Sequence, residues 1–178
     1  YYLAHQSLPS VFVLYTEFRY GWNERTVGLS LAAVGVCAAI VSGGLVGPYV
    51  KKFGERWSLA SGLFFGAIGF ALFALASKRW FFLAGIPFIA LWGVAGPAAQ
   101  SLMSRYVDHS SQGKLQGAVN SLRALTGMAG PLLFTQVFTV AISTGSFAHI
   151  PGAPYFLAAF LLLASILVAL TAARNIPE

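Results

Sequence analysis

The stretch QGKLQGAVNSLRALTGMAGPLLF, Gln112 to Phe134, sets chemically capable side chains inside a run otherwise fit for hydrocarbon. At about 100° per residue, Gln116, Asn120, Arg123, Gly127, Gly130, Pro131 and Phe134 share a stripe roughly 100° wide, one face of a helix. An arginine within a membrane costs several kcal/mol, so Arg123 needs a partner or a purpose. It falls roughly 8 Å inside the expected membrane edge. Two readings stand side by side: it snorkels or makes a structural pair, or it touches a substrate or coupling group.

Gly93, Gly96, Pro97, Gln100 and Ser104 share a face of a second apolar segment, and two such faces could line one cavity. His5 and Gln6 in the first segment and Gln136 further along the fifth must likewise face protein or a watery space. His5 sits about 16 Å deep, near the midplane. It reads either as a buried neutral histidine bonded to a neighbouring helix or as a proton or ligand contact. Trp92 and Phe88 would add aromatic surface to such a cavity.

Catalysis finds no support. No nucleophile, base and orienting group recur at usable spacing, and no apolar segment carries a carboxylate in its interior, since Glu17 lies at a segment end and Asp108 in a connection. His5, His109 and His149 fall in three separate segments without ligand spacing, so no metal site is expected. Cys37 has no internal disulfide partner and reads as a small packing residue. No cofactor is implied.

The elements that must position these residues follow from composition. The 178 residues are 57% hydrophobic and 9% charged, against about 25% charged in soluble domains. One core cannot hide so much apolar surface, and lipid is its natural solvent. The net charge of +6 comes from scattered Lys and Arg that form no basic face, so a nucleic-acid partner is not expected. At roughly 20 apolar residues per crossing, six spans are predicted at 1–16, 27–49, 57–77, 81–106, 115–142 and 154–173. Runs of this length without alternation predict helices, giving an all-α membrane protein.

Lys51, Lys52, Arg56, Arg105, Lys114 and Arg174 fall on one set of connections, and Arg19, Arg25, Lys78 and Arg79 on the other. This bias places the 50–56 and 105–114 connections and the C-terminus in the cytoplasm. Spans three and six hold nothing more polar than Ser and Thr and can face lipid. The small-residue ladder Gly35, Ala39, Gly43 and Gly47, and the pair Gly62 and Gly66, read as helix-packing positions. The chain opens inside an apolar run with no initiator Met and no cleavage signal, which reads as a piece of a longer protein.

In GPYVKKFGERW, Gly47 to Trp57, Gly47 and Pro48 are expected to end a helix and Gly54 to permit a tight turn, with Glu55 and Arg56 opening the next span. Gly47, Lys52, Gly54 and Arg56 resemble the weaker copy of the glycine-and-basic loop signature of major facilitator superfamily transporters. The segment GPAAQSLMSRYVDHSSQGKLQGAVNSLRALTGMAGPLLF is similar to the tenth and eleventh helices of the tetracycline-resistance branch of drug:proton antiporters, above all at Gln112, Gly113, Leu115, Gln116, Gly117, Gly130 and Pro131. FVLYTEFRYGW, and TVGLSLAAVGV followed by FGERW, are similar to that branch's seventh and eighth helices. Arg123 departs from the small polar residue of tetracycline exporters, and Ser7, rather than Gln6, precedes Leu8 and Pro9.

The resemblance implies the C-terminal six-helix half, helices seven to twelve, of a twelve-helix fold built from inverted three-helix repeats. Spans one, two, four and five would surround a cavity and spans three and six lie outside. The implied partners are the missing N-terminal half, the lipid bilayer, a small organic substrate and protons, and the implied place is the bacterial inner membrane. The implied activity is proton-driven efflux of amphipathic compounds by alternating access. A carrier of a nutrient or metabolite and a non-transporting membrane assembly module are the alternatives. Candidate cavity or gate residues are His5, Gln6, Trp92, Gln100, Asn120, Arg123 and Gln136.

Overall fold

The computed structural model describes residues 1–143 and 150–174, and every regular element among them is helical. His149, considered above as a metal ligand, lies outside the described residues. Four helical stretches are long and apolar enough to cross a membrane: Glu24–Leu75, Arg79–Arg105, His109–Ile142 and Ala153–Thr171. The chain is thus an all-α, membrane-spanning helical bundle.

Prolines set where the helices are interrupted, because each removes an N–H and crowds the carbonyl four residues back. Helices α1 (Tyr2–His5) and α2 (Ser7–Tyr20) are separated at Gln6, just ahead of Pro9. Helix α3 (Glu24–Ile40) passes into α4 (Val46–Leu75) through a widened π turn, Val41–Leu45, just ahead of Pro48. Helices α5 (Arg79–Ala84), α6 (Ile86–Trp92) and α7 (Ala95–Arg105) form one apolar stretch, interrupted at Gly85 ahead of Pro87 and at Gly93 ahead of Pro97. Helix α8 (Gln112–Ile142) carries Pro131 without interruption, and α9 (Ala153–Arg174) follows.

One expectation is corrected here. Gly47 and Pro48 do not end a helix; both lie inside α4, because the wide turn before them relieves the clash that Pro48 would otherwise make. The reversal comes later, at Gly54, whose φ of 75° and ψ of 165° suit only glycine. Tyr49 donates its hydroxyl to Ser61 Oγ at 3.0 Å. On a straight helix those residues would stand roughly 18 Å apart, so the 52-residue stretch Glu24–Leu75 folds back on itself. Helix α3 starts earlier than the expected span because Asn23 caps it, its Oδ1 accepting from the Thr26 N–H at 2.9 Å.

The two ends of the bundle are held differently. At one end Glu55, just past the Gly54 reversal, meets Arg105 at the close of α7, Nη2 to Oε1 at 2.8 Å, and accepts from Ser101 Oγ at 2.5 Å. Gln112 Nε2 donates there to the carbonyls of Ser104 and Val107 at 2.8 and 3.0 Å, tying the α7–α8 connection. At the other end the last carbonyls of α4, which lack helical partners, accept from tyrosines of α2. Tyr15 OH reaches Phe73 O at 3.0 Å and Tyr20 OH reaches Ala76 O at 2.8 Å. An aromatic cluster fills the space between, with Phe73 and Phe82 stacked at 4.2 Å and Tyr155 edge-on to Tyr15 at 5.1 Å.

Spans three and six, read from sequence as able to face lipid, also contribute the largest part of the core with their other faces. The limb of α4 after Gly54 and helix α9 bury Leu63, Ala67, Phe70 and Phe73 against Tyr155, Ala158 and Leu162. Both helices do present an outer apolar face, through Phe64 and Leu75 and through Phe160, Leu163 and Leu167. Lack of polar residues permits exposure without requiring it, and small residues decide the buried side. A β-carbon on Gly62 would lie 2.8 Å from Ala95 N, and one on Gly66 would lie 2.7 Å from Trp92 Cγ and 2.8 Å from Leu162 Cδ1. The ladder on α3 and its continuation behaves otherwise: Gly35, Gly43 and Gly47 have nothing within 4 Å of a β-carbon position. Their expected packing partner is therefore not among the described residues of this chain. Cys37 is a half-buried free thiol packed against the core.

Candidate functional site

The interruption at Gln6 brings the start of the chain against the middle of α8. A β-carbon on Gly130 would press on Cβ and Cγ of Gln6, the latter at 2.6 Å, so only a glycine lets the helices approach this closely. One and two turns earlier on the same face stand Gly127, at 3.9 Å from Gln6 Nε2 by the same measure, and Arg123. Arg123 donates from Nη2 to Tyr2 OH at 3.3 Å, and its guanidinium carbon lies 4.9 Å from the centre of the Tyr2 ring. Both the hydrogen bond and the cation–π contact cross 121 residues of sequence.

These residues enclose a cavity of about 350 Å³ lined by Tyr1, Tyr2, His5, Gln6, Arg123 and Thr126. Behind it stands an aromatic wall. The Trp92 ring lies 5.1 Å from His5 and 5.4 Å from Tyr1, and Tyr1 meets Tyr2 at 5.1 Å. Trp92 is buried, and its indole Nε1 has no hydrogen-bond acceptor. A mixed wall of this kind, apolar rings with a few convergent polar groups, is how small organic molecules are held.

Of the residues singled out from sequence, His5, Gln6 and Arg123 line this cavity and Trp92 backs it. Asn120 and Gln136 are exposed on α8, as is Gln116 of the motif, and Gln100 is half-buried on α7. None of these four touches the Arg123 cavity. Gly96 does reach the same region, since a β-carbon there would meet Tyr1 OH at 3.2 Å. His5, read from sequence either as a buried histidine or as a proton or ligand contact, has an exposed side chain that lines this cavity.

Of the reversal motif, Gly54 makes the turn, Gly47 is exposed on α4, and Lys52 Nζ lies 5.4 Å over the Phe53 ring. Arg56 is half-buried beside Glu55 in sequence. Gly113 and Gly117 have open space around them, and Leu115 is half-buried.

Tyr2 was missed by sequence reasoning, as was the Glu55–Ser101–Arg105 cluster. Tyr2, His5 and Gln6 stand at the i, i+3, i+4 spacing of one helix face, which was the available signal for the first. Nothing local announces the second, since Glu55 lies 46 residues from Ser101. Among the described residues no group of three His, Cys, Asp or Glu could hold a metal ion.

Comparison with known proteins bears on what such a bundle belongs to. The chain is 35% identical to the class C tetracycline resistance protein of Escherichia coli, over 87% of this chain and 39% of that one. It is 39% identical to the class G tetracycline resistance protein of Vibrio anguillarum, over 77% of this chain and 35% of that one. The human hippocampus abundant transcript-like protein 1 is 25% identical over 95% of this chain and 36% of its own length. The chain thus spans between 35% and 39% of the length of these relatives. The family match extends further than any of these alignments and covers residues 1–178, so the chain belongs to the Major Facilitator Superfamily.

Proposed function

We propose that this chain is the C-terminal six-helix half, helices seven to twelve, of a membrane transporter that exports small amphipathic organic compounds in exchange for protons. The observation that carries this reading is 35–39% identity to tetracycline resistance proteins over most of the chain. The ends of the elements support the helix count. Tyr20 and Ala76 meet at one end of the bundle, and Glu55 and Arg105 at the other. Passes at about 1–16, 27–49, 57–77, 81–106, 115–142 and 154–173 would then alternate in direction, with the Glu55 end and the C-terminus in the cytoplasm by the bias of Lys and Arg. The bacterial inner membrane is the proposed place.

In this reading the chain is a non-enzymatic carrier and the Arg123 cavity is one wall of the substrate path, completed by an N-terminal half. His5, Gln6 and Arg123 contact substrate, Trp92 stiffens the wall, and Asn120, Gln136 and Gln100 line the rest of the path or its gate. The exposed glycines Gly35, Gly43 and Gly47 support a second half, since they offer close-approach surfaces that none of the described residues occupies. No pass carries a carboxylate in its interior among the described residues, so the proton-coupling acid is assigned to the other half.

The test uses everted membrane vesicles holding the full-length protein, energised to an acidic interior, with internal pH followed as tetracycline and other amphipathic compounds are added. Compound-triggered proton release is expected. Silence across the compounds from a protein shown to be present and folded would refute drug:proton exchange and favour a metabolite carrier.

A further inference from the structure

We infer that the Arg123 cavity takes an organic anion: a planar aromatic compound carrying a carboxylate, sulfonate or phenolate, not a cation. This rests on the transport reading above and narrows it to a substrate class.

The first ground is uncompensated charge. Arg123 is held by a phenol, through one hydrogen bond at 3.3 Å and the face of the Tyr2 ring, and neither contact neutralises it. Among the described residues the carboxylates stand elsewhere. Glu17 lies in the last turn of α2, Glu24 opens α3, Asp108 is in the α7–α8 connection, and Glu55 is taken by Arg105 and Ser101. The bond to Tyr2 uses a single donor of the guanidinium fork and leaves the rest open, in the geometry that pairs with a carboxylate or sulfonate. Arg123 is exposed at the open side of this cavity, so its charge meets an incoming ligand directly, attracting anions and repelling cations.

The second ground is an excess of donors. Beside the open N–H groups of Arg123 the cavity adds the Gln6 amide, whereas the Thr126 hydroxyl is already donated to the Leu122 and Arg123 carbonyls at 2.8 and 3.0 Å. A ligand that brings acceptors meets this wall better than one that brings donors. The third ground is shape. Tyr1, Tyr2 and His5 line the cavity with rings set at angles, Tyr1 and Tyr2 edge-on at 5.1 Å, so an aromatic body can meet one ring face and another ring edge.

Two dyes with a common xanthene skeleton and opposite charge separate the outcomes: 6-carboxyfluorescein and rhodamine 6G. Each is offered to energised everted vesicles containing the full-length protein, and retained dye is read after lysis at fixed pH. Accumulation of carboxyfluorescein but not rhodamine 6G is expected. Arg123→Gln should weaken its apparent affinity about tenfold to a hundredfold, and Arg123→Lys should recover part of the loss.

Accumulation of rhodamine 6G alone would overturn the anion assignment and leave the transport reading standing. Equal handling of carboxyfluorescein by wild type and Arg123→Gln would overturn the assignment to Arg123. Accumulation of neither dye, by a folded protein that also gives no compound-triggered proton release, would overturn both. The dye pair needs no variant, so the charge comparison remains decisive if Arg123→Gln fails to fold.

Discussion

Replacing Gly130 by alanine tests whether the Gln6 interruption and α8 are in the contact described. The new β-carbon would overlap Cβ of Gln6 and stand 2.6 Å from its Cγ, where apolar atoms need nearly 4 Å. Neither atom is the free end of a flexible side chain, so the helices must part, and overpacking of this kind costs about 1–3 kcal/mol. A Gly→Ala change within a helix also gains up to about 1 kcal/mol in propensity, which would blur the result taken alone. Gly117→Ala on the same helix supplies the control, because nothing lies within 4 Å of a β-carbon there. Propensity cancels between the two variants, and their difference isolates the steric cost. A kcal/mol shifts Tm by about 2–4 °C for 150–250 residues and by less in a longer protein, so thermal unfolding of the purified full-length protein should place Gly130→Ala below Gly117→Ala by a few °C. Gln6→Gly removes both colliding atoms at a position where the helix is already interrupted, so the double variant should regain most of that loss. Equal melting of Gly130→Ala and Gly117→Ala, or no rescue by Gln6→Gly, would refute the contact.

Glu55→Gln and Arg105→Gln should each destabilise modestly and couple in a double-mutant cycle by about 0.5–1 kcal/mol, weakening with added salt, because Glu55 is 11% exposed but Arg105 is 71% exposed. Coupling that is absent at low salt would remove the ion pair as a tie between the reversal and α7. Gly66→Leu should block folding or lower the melting temperature strongly, since even a β-carbon there lies 2.7 Å from Trp92; circular dichroism and yield of folded protein report this. Tyr15→Phe should cost about 1 kcal/mol by removing the hydroxyl that caps the Phe73 carbonyl at 3.0 Å, read as a shift in the unfolding midpoint.

Composition and run length were enough to make this chain helical and membrane-spanning, because a 9% charged sequence calls for lipid and long apolar runs without alternation satisfy their backbone there as helices. The residue order around Gly54 and from Gln112 to Pro131 was enough for the family, and the polar stripe on the fifth segment marked Arg123 as exceptional. Those are local properties, carried by periodicity and by glycine and proline chemistry. Tertiary structure alone decided which polar residues share a space. Arg123 and Gly130 meet Tyr2 and Gln6 because the helix is interrupted ahead of Pro9 and α8 packs there on glycine. Asn120, three residues before Arg123, stays exposed. It also decided that α9 and the second limb of α4 form the core, since absence of polarity marks a surface that can face lipid or protein equally well. The choice between them is made by which small residues lie opposite large rings, as Gly66 lies opposite Trp92, and such pairings span too much sequence for any local pattern to reveal.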